Sequence, residues 1–392
     1  MKRISKLRPA IAAFLLLIAM PTYTTAISFM NQPVSDQLQV GMGSVSLYYS
    51  LMVAVAIFAT PFVGQWIHKL GVPRIVLLAA VWGTGCMFLF SVSRALWMFY
   101  AVGILAGVLG GTAIYLTANV ALQVYYTTAE AAGLIGFVMA GSGIGSMLYS
   151  NVLPVLLEKV GVAVTYRAIG AIWFTLLVLA VLILGKARPV TAEHIEKTGG
   201  DGMTRKEALC SPVFYMMIGA VLLMAVGTCL IQHWPPLVAE MGYDATAVGA
   251  IVSFYSAVLT AGKIAQGVLY SRVGIVKGAV AMHALYVLGF ILLLEPRFVY
   301  PAFFCIGLGF GIPTTLTPVL SKELFGPKEF AAIYSILTMS MSIGSFIATP
   351  AWGVVYDTLG SYRPGFVPMA VTGVLALLLQ VGALRLQRRG KT

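Results

Sequence analysis

The stretch 64-GQWIHKLGVPR-74 returns later in the chain as 267-GVLYSRVGIVK-277. Gly64 and Gly267, Lys69 and Arg272, Gly71 and Gly274, and Arg74 and Lys277 each stand 203 residues apart. A glycine, a basic residue, a second glycine and a second basic residue, set between apolar runs, describe a tight turn at a charged surface. Glycine enters such a turn without steric cost, and cations suit helix C-termini and water. The echo spreads outward from this loop. The 203-residue offset also pairs Pro33 with Pro236 and Ser50 with Ser253. At 200 it pairs Gly107 with Gly307, Gly111 with Gly311 and Thr117 with Thr317. At 199 it pairs Glu130 with Glu329, Ile144–Ser146 with Ile343–Ser345, Glu158 with Asp357 and Gly161 with Gly360. A nearly constant offset across most of both halves is an internal repeat.

The repeated material is apolar. Of 392 residues, 59% are hydrophobic and 10% charged, with a mean hydropathy of +0.93. A soluble domain carries about 25% charged residues, and a bilayer-crossing helix needs about 20 mostly apolar ones. Twelve such runs are expected, near 8–31, 44–66, 73–93, 95–122, 130–157, 165–185, 212–238, 245–269, 276–294, 298–320, 330–355 and 365–385. They are numbered helices 1 to 12 below. The alternation of a transmembrane barrel is absent from the sequence. The start, 1-MKRISKLRPAIAAFLLLIAMPTYTTA-26, has the look of a signal peptide, but the repeat requires it as helix 1. The expected fold is therefore an all-α integral membrane protein. Six helices per half is an even number, so the copies share one orientation, as a parallel repeat about the membrane normal. Its bundles are expected at 1–185 and 212–392, joined by a linker at 186–211 of mixed charge and paired glycines, in which His194 reads as a solvated residue.

Charge sets the orientation. With the N-terminus inside, 19 of the 25 Lys and Arg fall in cytoplasmic stretches and five in external ones, leaving Lys263. That bias places both termini in the cytoplasm of a cell inner (plasma) membrane, and it accounts for the net charge of +12 without a nucleic-acid partner. Cys86, Cys210, Cys229 and Cys305 are scattered and read as packing residues, not as a disulfide or zinc framework. No nucleotide-binding loop is present, so neither ATP nor a cofactor is expected and the chain does not read as an enzyme.

The two quoted loops resemble the signature of the major facilitator superfamily. In that signature a glycine is followed by three residues, an acid, a basic residue, a glycine and another basic residue. The acid's place is taken by His68 and Ser271. The resemblance makes Gly64, Lys69, Gly71, Arg74, Gly267, Arg272, Gly274 and Lys277 a candidate cytoplasmic gate; service as topology charges would explain the same cations. Small residues at helical spacing (Gly103, Gly107 and Gly111 in helix 4, 140-AGSGIGS-146 in helix 5) let helices approach closely, and Pro313, Pro318 and Pro350 permit bending. Nearly the whole chain is similar to the oxalate:formate antiporter and monocarboxylate porter group. The stretches that carry this likeness are 211-SPVFYMMIGA-220, 322-KELFG-326, 132-AGLIGFVMAGSGIGS-146 and 353-GVVYDTLGSYRPGF-366.

Lys263 lies four residues before Gly267, about 6 Å inside the cytoplasmic loop. A lysine at a helix centre costs about 2.5 to 3.5 kcal/mol, so it serves a purpose or snorkels to the interface. Its repeat partner is Thr60. The antiporter group carries its substrate-binding arginine at this place, which implies that Lys263 is a counter-charge for an organic anion. The group's second cation, in helix 11, corresponds to Met341, which favours a monocarboxylate; the acid that the monocarboxylate porters hold four residues earlier corresponds to Leu259. The same resemblance makes Tyr115, Phe310, Thr314, Ser142 and Tyr23 substrate-binding candidates, several with hydroxyls where the group has aromatics. Each reads equally as packing. His233 and His283 are candidates for a coupled proton, or buried packing residues. The implied function is secondary transport, symport or antiport, of a small organic anion with a coupled proton or counter-anion, by a protein expected to act as a monomer in the bilayer. A drug:proton antiporter of the same superfamily, or a non-transporting sensor on this fold, stays open. The former usually has a proline in the helix 5 signature and an intramembrane acid, and both are missing here.

Overall fold

Helix lengths in the computed structural model follow from the apolar runs. It describes residues 2–126, 128–185, 202–326 and 328–389. Residues 186–201 of the linker, with His194, and the last residue, Thr392, lie outside the described residues, as does the side chain of His68. Among the described residues eleven stretches are long and apolar enough to cross a membrane. One of them, Phe137–Leu184, has 48 residues. At 1.5 Å per residue that is about 72 Å, more than twice the hydrocarbon core, so it makes two crossings. The break is at Gly161, with φ 72° and ψ 179° inside the helix Thr128–Leu184. These are helices 5 and 6, and the total is twelve.

The other crossings are as follows. Helix 2 is Met42–Leu70, helix 3 is Val72–Val92, helix 8 is Ala245–Val273 and helix 9 is Ile275–Leu292. Helix 11 is Phe330–Leu359 and helix 12 is Phe366–Arg389. The remaining four are interrupted. Helix 1 runs Lys2–Ala19, turns through Met20–Tyr23 and resumes as Thr25–Leu38, farther than the apolar run alone implies. Helix 4 is Leu96–Leu109 then Gly111–Tyr125; helix 10 is Val299–Gly309 then Ile312–Phe325. Helix 7 is Pro212–Thr228, a 3-10 turn Cys229–His233, and Trp234–Glu240. Before it, Thr204 and Glu207 form a capping box for the short helix Arg205–Cys210. The backbone hydrogen bond from Thr204 holds the Glu207 carboxyl below its usual range.

The repeat is structural as well as textual. Gly71 (φ 81°, ψ 157°) and Gly274 (φ 86°, ψ 156°) make the same turn. The breaks in helices 4 and 10 fall at Gly110 and Phe310, again 200 residues apart. A Cβ on Gly145 in helix 5 would strike the Ile18 carbonyl of helix 1, and one on Gly344, its counterpart in helix 11, would lie 2.7 Å from Ala225 of helix 7. A Cβ on Gly107 in helix 4 would lie 2.7 Å from Val55 of helix 2, and one on Gly307 in helix 10 would lie 2.9 Å from Val258 of helix 8. Lipid tails are as apolar as leucine, so helix association in a bilayer depends on such close approach.

The chain divides into two compact units. One comprises Met1–Ile195 and Ile231–Ser253, the other Glu196–Leu230 and Phe254–Thr392. Helices 7 and 8 therefore contribute to both. The first unit has an aromatic core of Tyr48, Phe90, Phe99 and Tyr166. In the second, Tyr255, Phe303, Phe310, Tyr286, Phe290 and Phe366 stack in series. Outward-facing side chains are also apolar: Phe58 is 73% exposed and Leu182 68%. Such a surface is stable against lipid and not against water.

Candidate functional site

Helix 8 carries a lysine within its apolar run. Ser256, Thr260, Lys263 and Gly267 recur at helical spacing, so one polar stripe runs down the helix. Lys263 is exposed on that stripe and, among the described residues, has no ion-pair or hydrogen-bond partner. Ile264 and Val268, 59% and 46% exposed, point to a different face, as lipid contacts would. Thr60, the counterpart in helix 2, turns its hydroxyl back to the Ala56 carbonyl at 2.6 Å.

Packing fixes the rotation of helix 8. A Cβ on Gly262 would lie 3.1 Å from Cα of Leu308, so helix 8 meets helix 10 at backbone contact. One turn on, Gln266 is fully buried against the same helix. Its Nε2 donates to the Leu308 carbonyl, and its Oε1 accepts from Thr315 Oγ1 and, at 3.5 Å, from the Tyr270 hydroxyl. Sequence reasoning passed over Gln266. An amide at four-residue spacing from a packing glycine, in an apolar run, was the available signal.

The other candidates separate. In the second unit Thr314 is exposed on helix 10, its Oγ1 donating to the Gly311 carbonyl at 3.0 Å. Phe310, at the break in that helix, is buried among Tyr255, Tyr286 and Phe290 and is a packing residue in this conformation. Met341 is half-buried in helix 11. In the first unit Tyr115 is exposed on helix 4, and Ser142 on helix 5 is half-buried with its hydroxyl on the Met139 carbonyl. Tyr23 is buried, stacks edge-on against Trp173 and donates to the Gly83 carbonyl at 2.9 Å, so its hydroxyl is spoken for. Helices 1 and 5 are joined nearby by two hydroxyl pairs that sequence reasoning also missed, Thr22 with Tyr149 at 2.6 Å and Thr25 with Ser146 at 3.0 Å.

Both histidines are buried. His233 ends the 3-10 turn of helix 7, beside Gln232, whose carbonyl accepts from Asn31 Nδ2 at 3.0 Å. His283 points Nδ1 at the Ala279 carbonyl at 2.9 Å, and since a carbonyl only accepts, Nδ1 carries a proton. The loop cations Lys69, Arg74, Arg272 and Lys277 are exposed. Gly64 and Gly267 have open space where a Cβ would stand. Cys86, Cys229 and Cys305 are buried as expected, while Cys210 is exposed.

The family model described as Major Facilitator Superfamily matches residues 11–321 and 235–391. The chain belongs to the Major Facilitator Superfamily. It is a multi-pass membrane transporter of that family. It is similar to an uncharacterized MFS-type transporter, YhjX, of Escherichia coli K12, at 22% identity over 81% of this chain and 80% of that one. It is also 22% identical to human monocarboxylate transporter 12, over 75% of this chain and 64% of that longer one. Among solved structures, a point mutant of the nucleoside transporter NupG aligns at TM-score 0.78, with 14% identity, over 97% of this chain and 99% of that one. A bacterial homologue of the human lysosomal transporter Spinster, in an inward-facing and occupied conformation, aligns at 0.71, also at 14% identity, over 97% and 96%. At that identity these two speak for the Major Facilitator fold alone. The family is one of carriers, which implies a small-molecule substrate and a bilayer for this member.

Proposed function

We propose that this Major Facilitator protein carries a small organic anion, a monocarboxylate by charge count, across the cell inner membrane, with Lys263 as the substrate's counter-charge. The observation that carries this reading is an exposed intramembrane ammonium on the polar stripe of helix 8, with no acid beside it among the described residues. An unpaired charge at membrane depth costs several kcal/mol, and an anionic substrate offsets that cost when it arrives. The likeness to monocarboxylate transporter 12 supports the substrate class. Transport then proceeds by rocking of two six-helix bundles, 1–185 and 212–392, about a midplane site, with both termini in the cytoplasm.

The test is counterflow of radiolabelled small carboxylates in proteoliposomes. Lys263→Gln should reduce exchange at least tenfold and leave thermal stability within a few degrees of wild type. Wild-type exchange in Lys263→Gln would mean that the ammonium only snorkels. Stabilisation by carboxylates without flux would favour a sensor, and proton-driven uptake of cationic drugs would favour the drug antiporter.

A further inference from the structure

The break in helix 10 has a chemical cause and a chemical remedy. Pro313 has no N–H for the Gly309 carbonyl, and its ring crowds the preceding turn, so the helix stops at Gly309 and restarts at Ile312. The Leu308 carbonyl borders the opening. It is taken by the side-chain amide of Gln266, from 42 residues earlier in the chain. The same carboxamide accepts from Thr315 beyond the break. It therefore holds both sides of the interruption, Leu308 before it and Thr315 after it. Gly311 makes room: a Cβ there would lie 2.8 Å from Gln266 Nε2. In the first unit the matching break, at Gly110, meets a ring instead, since a Cβ on Gly110 would lie 3.5 Å from Cδ1 of Tyr23.

Gln266 also aims its neighbour. Gly262 and Gln266 lie on one face of helix 8, both against helix 10. Lys263, about 100° round the helix from Gly262, is thereby turned to the polar stripe, and Thr314 is held on the segment that Thr315 anchors. We propose that Gln266 is a positioning residue of the Lys263 site, a splint across the helix 10 break that fixes the bearing of Lys263 and the register of Thr314. Its functional consequence rests on the organic-anion reading above; its geometry does not.

The experiment uses the full chain in proteoliposomes with Cys210→Ser, leaving Cys86, Cys229 and Cys305 as buried internal controls. Thr317→Cys, at a position 2% exposed on the inner segment of helix 10, is the reporter, read by labelling with a water-soluble maleimide. Gln266→Met keeps the length and removes the contacts to Leu308 and Thr315, along with the longer one to Tyr270. It should raise labelling at position 317 at least fivefold while the three native cysteines stay silent. Thr315→Val, which removes one contact, should raise it less and in the same direction. In counterflow, Gln266→Met should raise the apparent KM for a carboxylate about tenfold and change the maximal rate less than threefold. Unchanged labelling at 317 in Gln266→Met overturns the proposal, whatever the substrate proves to be. If Gln266→Met exposes the native cysteines as well, Thr315→Val decides: a rise at 317 alone supports the splint, and no rise overturns it.

Discussion

Lys263 brings one positive charge to its site, and Met341 brings none. A dianion bound there would bury a carboxylate with no partner. Leaving a buried charge unpaired costs several kcal/mol, a factor of hundreds or more in affinity. On the proposed reading, short monocarboxylates should compete for uptake at least tenfold better than oxalate-like dianions. Met341→Lys should shift the preference toward dianions, because it adds a second cation on helix 11. Inhibition of uptake by matched mono- and dicarboxylates, in both proteins, measures this. A wild-type preference for dianions would require another positive group at the site. Lysine rather than arginine also matters. An ammonium is a compact charge without the planar fork that grips a carboxylate in one orientation, so selectivity by carboxylate geometry should be loose.

Helix contact rather than side-chain bulk holds the elements together, and glycines mark where. Gly145 sits against the Ile18 backbone, with Cα of Ile18 only 3.0 Å from where a Cβ would stand. Gly145→Val therefore requires helices 1 and 5 to part. Overpacking of this kind costs about 1 to 3 kcal/mol, and the hydroxyl pair between Thr25 and Ser146 would open with it. Gly71→Ala meets a different obstacle, since φ 81° is strained for any residue with a Cβ, at roughly 1 to 2 kcal/mol. Gly64→Ala meets neither, having open space around it on an ordinary helix. Thermal unfolding in detergent should thus show clear losses for Gly145→Val and Gly71→Ala, and none for Gly64→Ala. Equal losses in all three would mean that glycine acts here through something other than contact and backbone angle. The breaks were partly legible too. Pro313 and the glycines near it announce the one in helix 10, and its echo at Gly110 follows from the repeat. Helix 7 breaks at Cys229–His233, just ahead of Pro235 and Pro236, which leave the Ile231 and Gln232 carbonyls without a helical N–H, but the helix 1 break does not align with it at the 203-residue offset.

At the scale of the molecule, orientation follows from where lysine and arginine fall. A reporter fused after Thr392 should be cytoplasmic. One inserted at Gln39, which takes φ 54° in the turn between helices 1 and 2, should face outside. With Gln39 external, an external C-terminus would refute an even number of crossings. The sequence determined by itself that the chain crosses a membrane twelve times, that its halves repeat, and that one lysine lies within an apolar run of crossing length. Hydropathy, charge bias and repeat offset are local or periodic, so they survive in one dimension. Even the 48-residue apolar stretch Phe137–Leu184 is divided by Gly161, a residue the repeat pairs with Gly360. Tertiary structure alone decided where each candidate side chain packs. Tyr23 and Phe310 resemble substrate contacts in sequence, yet they are buried with their partners taken. Gln266 was marked in the sequence only as an amide four residues after a glycine in an apolar run, yet it bridges the helix 10 break. The reason is physical: a buried polar group must find its partner wherever the fold brings one near, and for Gln266 that partner is the Leu308 carbonyl on another helix, at the edge of a break that a proline later still in the chain brings about.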